Sequence, residues 1–259
     1  MAPSLQLLSV TLRVSDLARS LAFYAGRLGF VPAAQSATQA GLAVSAGSPT
    51  LLTLREDRAA APAPRDAAGL FHAALLLPDR AALGAWLRRT ADAGVEFDGF
   101  SDHGVSEAIY LTDPDGNGLE FYSDRPRATW PFAAGKLAMR TDPLDLPGLL
   151  AEAAPAGPSP LAGARWGHLH LRVTSLDRSE AFYRAALGME LMQDSYAGAR
   201  FLAADGYHHH LGLNVWGCPR QPRPAGALGL AEAVFARSNT RGEQRLADPD
   251  GIALRLVGL

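Results

Sequence analysis

His72 lies in an otherwise apolar run, LFHAALLL, and Glu120 follows the turn in DPDGNGLEFY. His168 stands in GHLHLRV, His210 ends the tract YHHH, and His103 precedes Tyr110 by seven residues in DHGVSEAIY. Imidazole and carboxylate groups are the donors that hold divalent metals, and imidazole also moves protons near neutral pH. Each residue has a plainer reading as well. A lone histidine on an apolar strand is often a satisfied core residue, and a glutamate after a turn often faces solvent. His103 fits an exposed loop and Tyr110 fits core packing. Strand alternation sets Glu120 on the face opposite Leu119 and Phe121, together with Tyr122. Three consecutive histidines alternate faces in a strand, so at most two of His208, His209 and His210 point inward.

The elements that must position these groups follow from a repeat. Shifted by 159 positions, VTLRVSDLARSLAFYAGRLGF (10–30) lies over LHLRVTSLDRSEAFYRAALGM (169–189), with 11 of 21 pairs identical. One offset giving that score marks the two halves as duplicates. Each copy opens with an alternating strand. A helix capped by Ser15 or Asp16 follows, with Leu17, Leu21, Tyr24 and Leu28 at helical spacing and Gly29 as the stop. The first half repeats the pattern with a strand over 70–77, a helix over 79–94 and a hairpin through DPDGNG. That turn recurs as DPDGIALRLV (248–257), which sets Arg255 opposite Glu120. The stretch between His210 and this second turn is poor in helix signal, so the fourth unit reads as eroded. The resulting division is 1–130, a Pro/Ala/Gly-rich linker over 131–164, and 165–259.

Composition narrows the partners. The net charge is −2 with 48% apolar residues, and no Lys/Arg block or long apolar run occurs. Neither nucleic acid nor membrane is expected as a partner. Cys218 is the single cysteine, so no intramolecular disulfide forms, and with no secretory leader pattern a cytoplasmic location is expected.

The opening LRV…L.RS..FY…LG and the closing DPDGNG.E resemble the vicinal-oxygen-chelate superfamily of glyoxalases, bleomycin-resistance proteins and extradiol dioxygenases. The resemblance covers nearly the whole chain. It implies an α+β fold of tandem βαβββ modules, in which two glyoxalase-like halves each form an open, cup-shaped mixed sheet. Its ligand positions fall on Ser9, His72 and Glu120 in the first half and on His168, His210 and Arg255 in the second. Ser9 is a weak donor and Arg255 is a cation, so neither set is intact. Glu56, Asp57 and Asp102 are the candidates to complete the first.

A narrower stretch, DHGVSEAIYLTDPDGNGLE, resembles the extradiol dioxygenase signature through His103, Ile109, Tyr110, Asp113, Pro114, Gly116 and Glu120, with Ser101 departing from it. This implies a ring-cleaving dioxygenase acting on a catechol-type diol with dioxygen. His72, Glu120, His168 and His210 would then be metal ligands, and His103 and Tyr110 would contact substrate and oxygen. The implied metal is Fe(II), with Mn, Zn, Ni or no metal as alternatives, and the fold is compatible with a homodimer. Two other functions fit the resemblance: a metal-free sequestering protein of the bleomycin-resistance type, and a glyoxalase- or epimerase-like metalloenzyme.

Overall fold

A computed structural model describes residues 3–133, 135–155, 157 and 159–259. The first module comprises β1 (Leu5–Val14), α1 (Leu17–Leu21, continuing as a π-helical turn, Ala22–Arg27), β2 (Val31–Gln35), β3 (Gln39–Ala43) and β4 (Leu52–Glu56). The second comprises β5 (Gly69–Leu76), α2 (Arg80–Asp92), β6 (Gly99–Asp102), β7 (Ser106–Thr112) and β8 (Gly118–Asp124). After a segment containing β9 (Phe132–Ala133), β10 (Lys136–Leu137), β11 (Asp142–Pro143) and α3 (Leu146–Ala151), the third module begins. It holds β12 (Arg165–Arg172), α4 (Leu176–Leu187), β13 (Glu190–Gln193), β14 (Ala199–Ala203) and β15 (Leu211–Asn214). The fourth holds β16 (Gly229–Arg237), β17 (Gln244–Ala247) and β18 (Ala253–Gly258), with no helix among the described residues.

Local chemistry places the helices where the pattern set them. Asp16, Asp79 and Ser175 cap α1, α2 and α4 through their side chains, and Gly29, Gly94 and Gly188 take positive φ just beyond.

The tandem-module fold class holds, but the modules pair across the halves rather than within them. One sheet runs β17-β18-β16-β1-β4-β3-β2 and joins the first module to the fourth. The other runs β11-β6-β7-β8-β5-β12-β15-β14-β13 and joins the second to the third. The seams are antiparallel pairings of first strands, β1 with β16 and β5 with β12. Each half therefore contributes one module to each cup.

Strand alternation then sorts the side chains. Ala73, Leu75, Leu119, Phe121, Leu169 and Leu171 enter the main apolar core with Trp86 of α2 and Tyr183 of α4. Residues of the other parity on the same strands face the concave side of the nine-stranded sheet.

The repeated motifs explain each other. Tyr24 donates to the Asp113 carboxylate at 2.8 Å, and Tyr183 donates to Asp248 at 3.0 Å. Asp113 also accepts from the Asp115 and Asn117 amides, as Asp248 does from Asp250 and Ile252. Ser15 and Thr174, at the strand–helix junctions, bond Asp115 and Asp250 in turn. In each half the DPDG turn is thus a clamp that docks its module onto the preceding one.

Candidate metal centre

Four strands meet in one row across the concave face. Tyr110 on β7 lies opposite Glu120 on β8, Glu120 opposite Ala74 on β5, and Ala74 opposite His168 on β12. In the next row His72 lies opposite His170. Ala74 is the small residue between larger ones, and the space above its methyl group lets the long side chains on either side converge. His72 Nε2 lies 3.0 Å and His168 Nε2 3.2 Å from the same Glu120 oxygen. Among the described residues these three are the only His/Cys/Asp/Glu group with mutual donor distances within 4.8 Å.

This donor set fits a divalent metal. Two imidazoles and one carboxylate form the facial triad that leaves coordination positions open on Fe(II). The imidazole nitrogens stand 3.0 and 3.2 Å from the shared carboxylate oxygen, and all three donors lie within 4.8 Å of one another, close enough to share one ion. Glu120 is 2% exposed. Burial pushes its carboxyl up, but His168 and His72 more than offset this and hold it well below the ordinary carboxylate range. Burial, opposed by Glu120, lowers His168 to about 4, so it is the neutral imidazole a metal requires.

The expected ligands divide accordingly. His72 and Glu120 come together as a pair, and His168 joins them from the other half of the chain, filling the position sought at Ser9. His210 is not part of the group. Its Nδ1 accepts from the Ala204 amide, its ring lies against Tyr207, and it opens toward a separate cavity with Arg165. Glu56 accepts from Leu17, Asp57 pairs with Arg13, and Asp102 pairs with Arg125, so all three serve other contacts.

Ser9 and Arg255 belong to the other sheet, where Ser9, Val234 and Arg255 repeat the row of His168, Ala74 and Glu120. Arg255 pairs there with Glu232 and Glu243.

His103 and Tyr110 face the same cavity as His72 and Glu120, a space of about 310 Å³. His103 Nε2 lies 2.7 Å from the Tyr110 hydroxyl, and Nδ1 lies 2.7 Å from the Arg140 carbonyl oxygen. A carbonyl can only accept, so Nδ1 carries a proton, and in the neutral ring Nε2 is then the acceptor for the tyrosine hydroxyl. Burial and the neighbouring Glu120 carboxylate push Tyr110 well above its ordinary range, which keeps the hydroxyl protonated.

Phe71, Phe201, Trp216 and Met139 form the apolar wall, joined by His170 and His209. Burial and then adjacent imidazoles hold both histidines well below their usual range. His170 was not singled out from sequence, although it stands two residues after His168 and shares its face. Nor was Arg140, whose contribution is a backbone atom that no side-chain pattern reveals.

The family model described as the Glyoxalase/Bleomycin resistance protein/Dioxygenase superfamily matches residues 6–121 and 165–234. A catechol-2,3-dioxygenase of Bacillus subtilis is 44% identical over 225 residues, covering 85% of this chain and 78% of that protein. Among solved structures, a candidate dioxygenase from Bacillus subtilis superposes with TM-score 0.67 at 12% identity, over 100% of this chain and 86% of its own. Glyoxalase I from Zea mays gives 0.58 at 18% identity, over 98% and 92%. At those identities the structural likeness concerns the fold.

Proposed function

The chain belongs to the glyoxalase/bleomycin resistance protein/dioxygenase superfamily, and from that premise we propose that it is an extradiol-type dioxygenase opening the ring of a catechol-like diol. The observation that carries the reading is the buried cluster of His72, Glu120 and His168, of which His72 and Glu120 line a cavity shared with His103 and Tyr110. Identity to a catechol-2,3-dioxygenase supports the same chemistry. Fe(II) is the metal this donor set suits, and when bound it supplies a Lewis-acidic template for the diol and dioxygen.

The chain's own groups do the rest. His72, Glu120 and His168 would hold the metal, with His72 and Glu120 reaching it from the cavity wall. The rings of Phe71, Phe201 and Trp216 line the cavity, Phe71 and Trp216 meeting edge to face, and give an aromatic substrate apolar surface to pack on. Tyr110 donates its hydroxyl proton to His103, so its oxygen lone pairs are free to accept from a substrate hydroxyl. A proton leaving the diol reaches the Tyr110 oxygen while the tyrosine proton moves to His103 Nε2. His103 is only partly buried and can exchange that proton with solvent.

Anaerobic purification with metal analysis, followed by oxygen uptake on a panel of catechols, tests the proposal. Stoichiometric iron and catechol-dependent uptake are the expected results. Protein that takes up no metal would point to a sequestering role. Metal without oxygen consumption would point to glyoxalase- or epimerase-type chemistry.

A further inference from the structure

The segment joining the halves reads from sequence as a spacer, yet it crosses the mouth of the catalytic cup. At one edge of the nine-stranded sheet, β11 pairs with β6, with Asp142 opposite Asp102 and Pro143 opposite Ser101. At the other edge stands β13, whose last residue is Gln193. Gln193 is 3% exposed, and its amide makes both bonds of a peptide pair with Met139. Oε1 accepts from the Met139 amide at 3.2 Å, and Nε2 donates to the Met139 carbonyl at 3.2 Å. Nε2 also donates to Ser195 Oγ at 2.7 Å. The reverse orientation of the amide would set oxygen against oxygen and N–H against N–H, so this one is fixed.

The clasp therefore ties the crossing segment to one edge while β11 ties it to the other. Between the two ties lies Arg140, whose carbonyl oxygen is the acceptor for His103 Nδ1. Met139 and Thr141, on either side of Arg140, line the cavity itself.

We propose that Gln193 is a positioning residue for the proton relay: by clasping the Met139 peptide it fixes the Arg140 carbonyl that holds His103 in its Nδ1–H form, leaving Nε2 to accept from Tyr110. The inference rests on the dioxygenase reading for its catalytic meaning, but its structural content can be read without activity. Gln193 does not line the cavity, and its side-chain hydrogen bonds go to Met139 and Ser195. It acts through a neighbouring backbone, some fifty residues away along the chain. A buried amide with both ends engaged is costly to leave half-paired, which makes the clasp a strong restraint on that backbone.

The test is 15N NMR of the full chain labelled at histidine and loaded with diamagnetic Zn(II), with His103 assigned through His103→Gln. Wild type should show one protonated Nδ1 and one acceptor-type Nε2 for His103. Gln193→Met keeps the volume and removes both hydrogen bonds to Met139, and it should convert this pattern into a mixture of tautomers. With iron and a catechol, its kcat should fall by about tenfold or more while KM moves less, as for loss of an outer partner at a metal site. Gln193→Glu retains the acceptor for the Met139 amide and faces the carbonyl with a carboxylate. It should show the same mixture and serves if the methionine variant does not fold. An unchanged His103 pattern in a folded variant would overturn the proposal. Altered tautomers in a protein whose wild type lacks oxygenase activity would leave the positioning role standing and remove the dioxygenase reading instead.

Discussion

Glu120 receives two imidazoles on a single buried oxygen, and replacing it shows what that oxygen does. Glu120→Gln keeps the shape and removes the anionic donor. Divalent-metal affinity should fall by more than the roughly 10–100-fold that loss of an outer partner costs, measured by competition with a chelating dye. His210→Gln, outside the group, should leave metal content unchanged. The same histidine reports on acid stability. Burial lowers it to about 4 from an ordinary 6.5, so the unfolded chain binds a proton between those values and the folded chain does not. Its contribution is complete above pH 6.5 and is lost as the pH falls toward 4, on the order of a few kcal/mol. Urea midpoints that decline over this window in wild type, and decline less in His210→Gln, are the expected result. Residue types were legible in the sequence where a polar group interrupts an apolar strand, as at His72. Partnership was not. His168 was visible but assigned to a set with His210, because GLFHA (69–73) was not matched with GLAEA (229–233), which makes Glu232 the counterpart of His72.

The helices and turns were legible because their signals are local: an Asp or Ser cap, a glycine stop, a DPDG turn. What the turn holds required coordinates. Asp113 accepts from a buried tyrosine and two amides, so Asp113→Ala should lower stability by about 3 kcal/mol. Asp248→Ala should cost a similar amount, since Tyr183 and two amides lose the same partner. Chemical denaturation of both variants checks this. Metal affinity should change less in Asp248→Ala, whose clamp docks the module that carries none of the three ligands. The segment over 131–164 was read from composition as a spacer, yet α3 packs on α2, with Arg88 donating to the Leu150 carbonyl. Proline, alanine and glycine mark the absence of a long regular element there, not the absence of packing.

At the scale of the chain, duplication was legible and pairing was not, because pairing is decided by which first strands meet. With ligands drawn from both halves, residues 1–130 or 165–259 expressed alone should bind no metal tightly. Mixing the two should restore binding if they associate, and titration calorimetry would show it. The sister cup shows what divergence did with the spare copy. Where one row reads His168, Ala74, Glu120, the other reads Ser9, Val234, Arg255, with Glu232 in the place of His72. That cup carries a tethered cation, since the Arg255 guanidinium answers the Glu232 carboxylate at 3.4 Å. The same row could be written into this cup: Ser9→His, Glu232→His, Val234→Ala and Arg255→Glu together should add a second site, read as a doubling of bound divalent metal per chain.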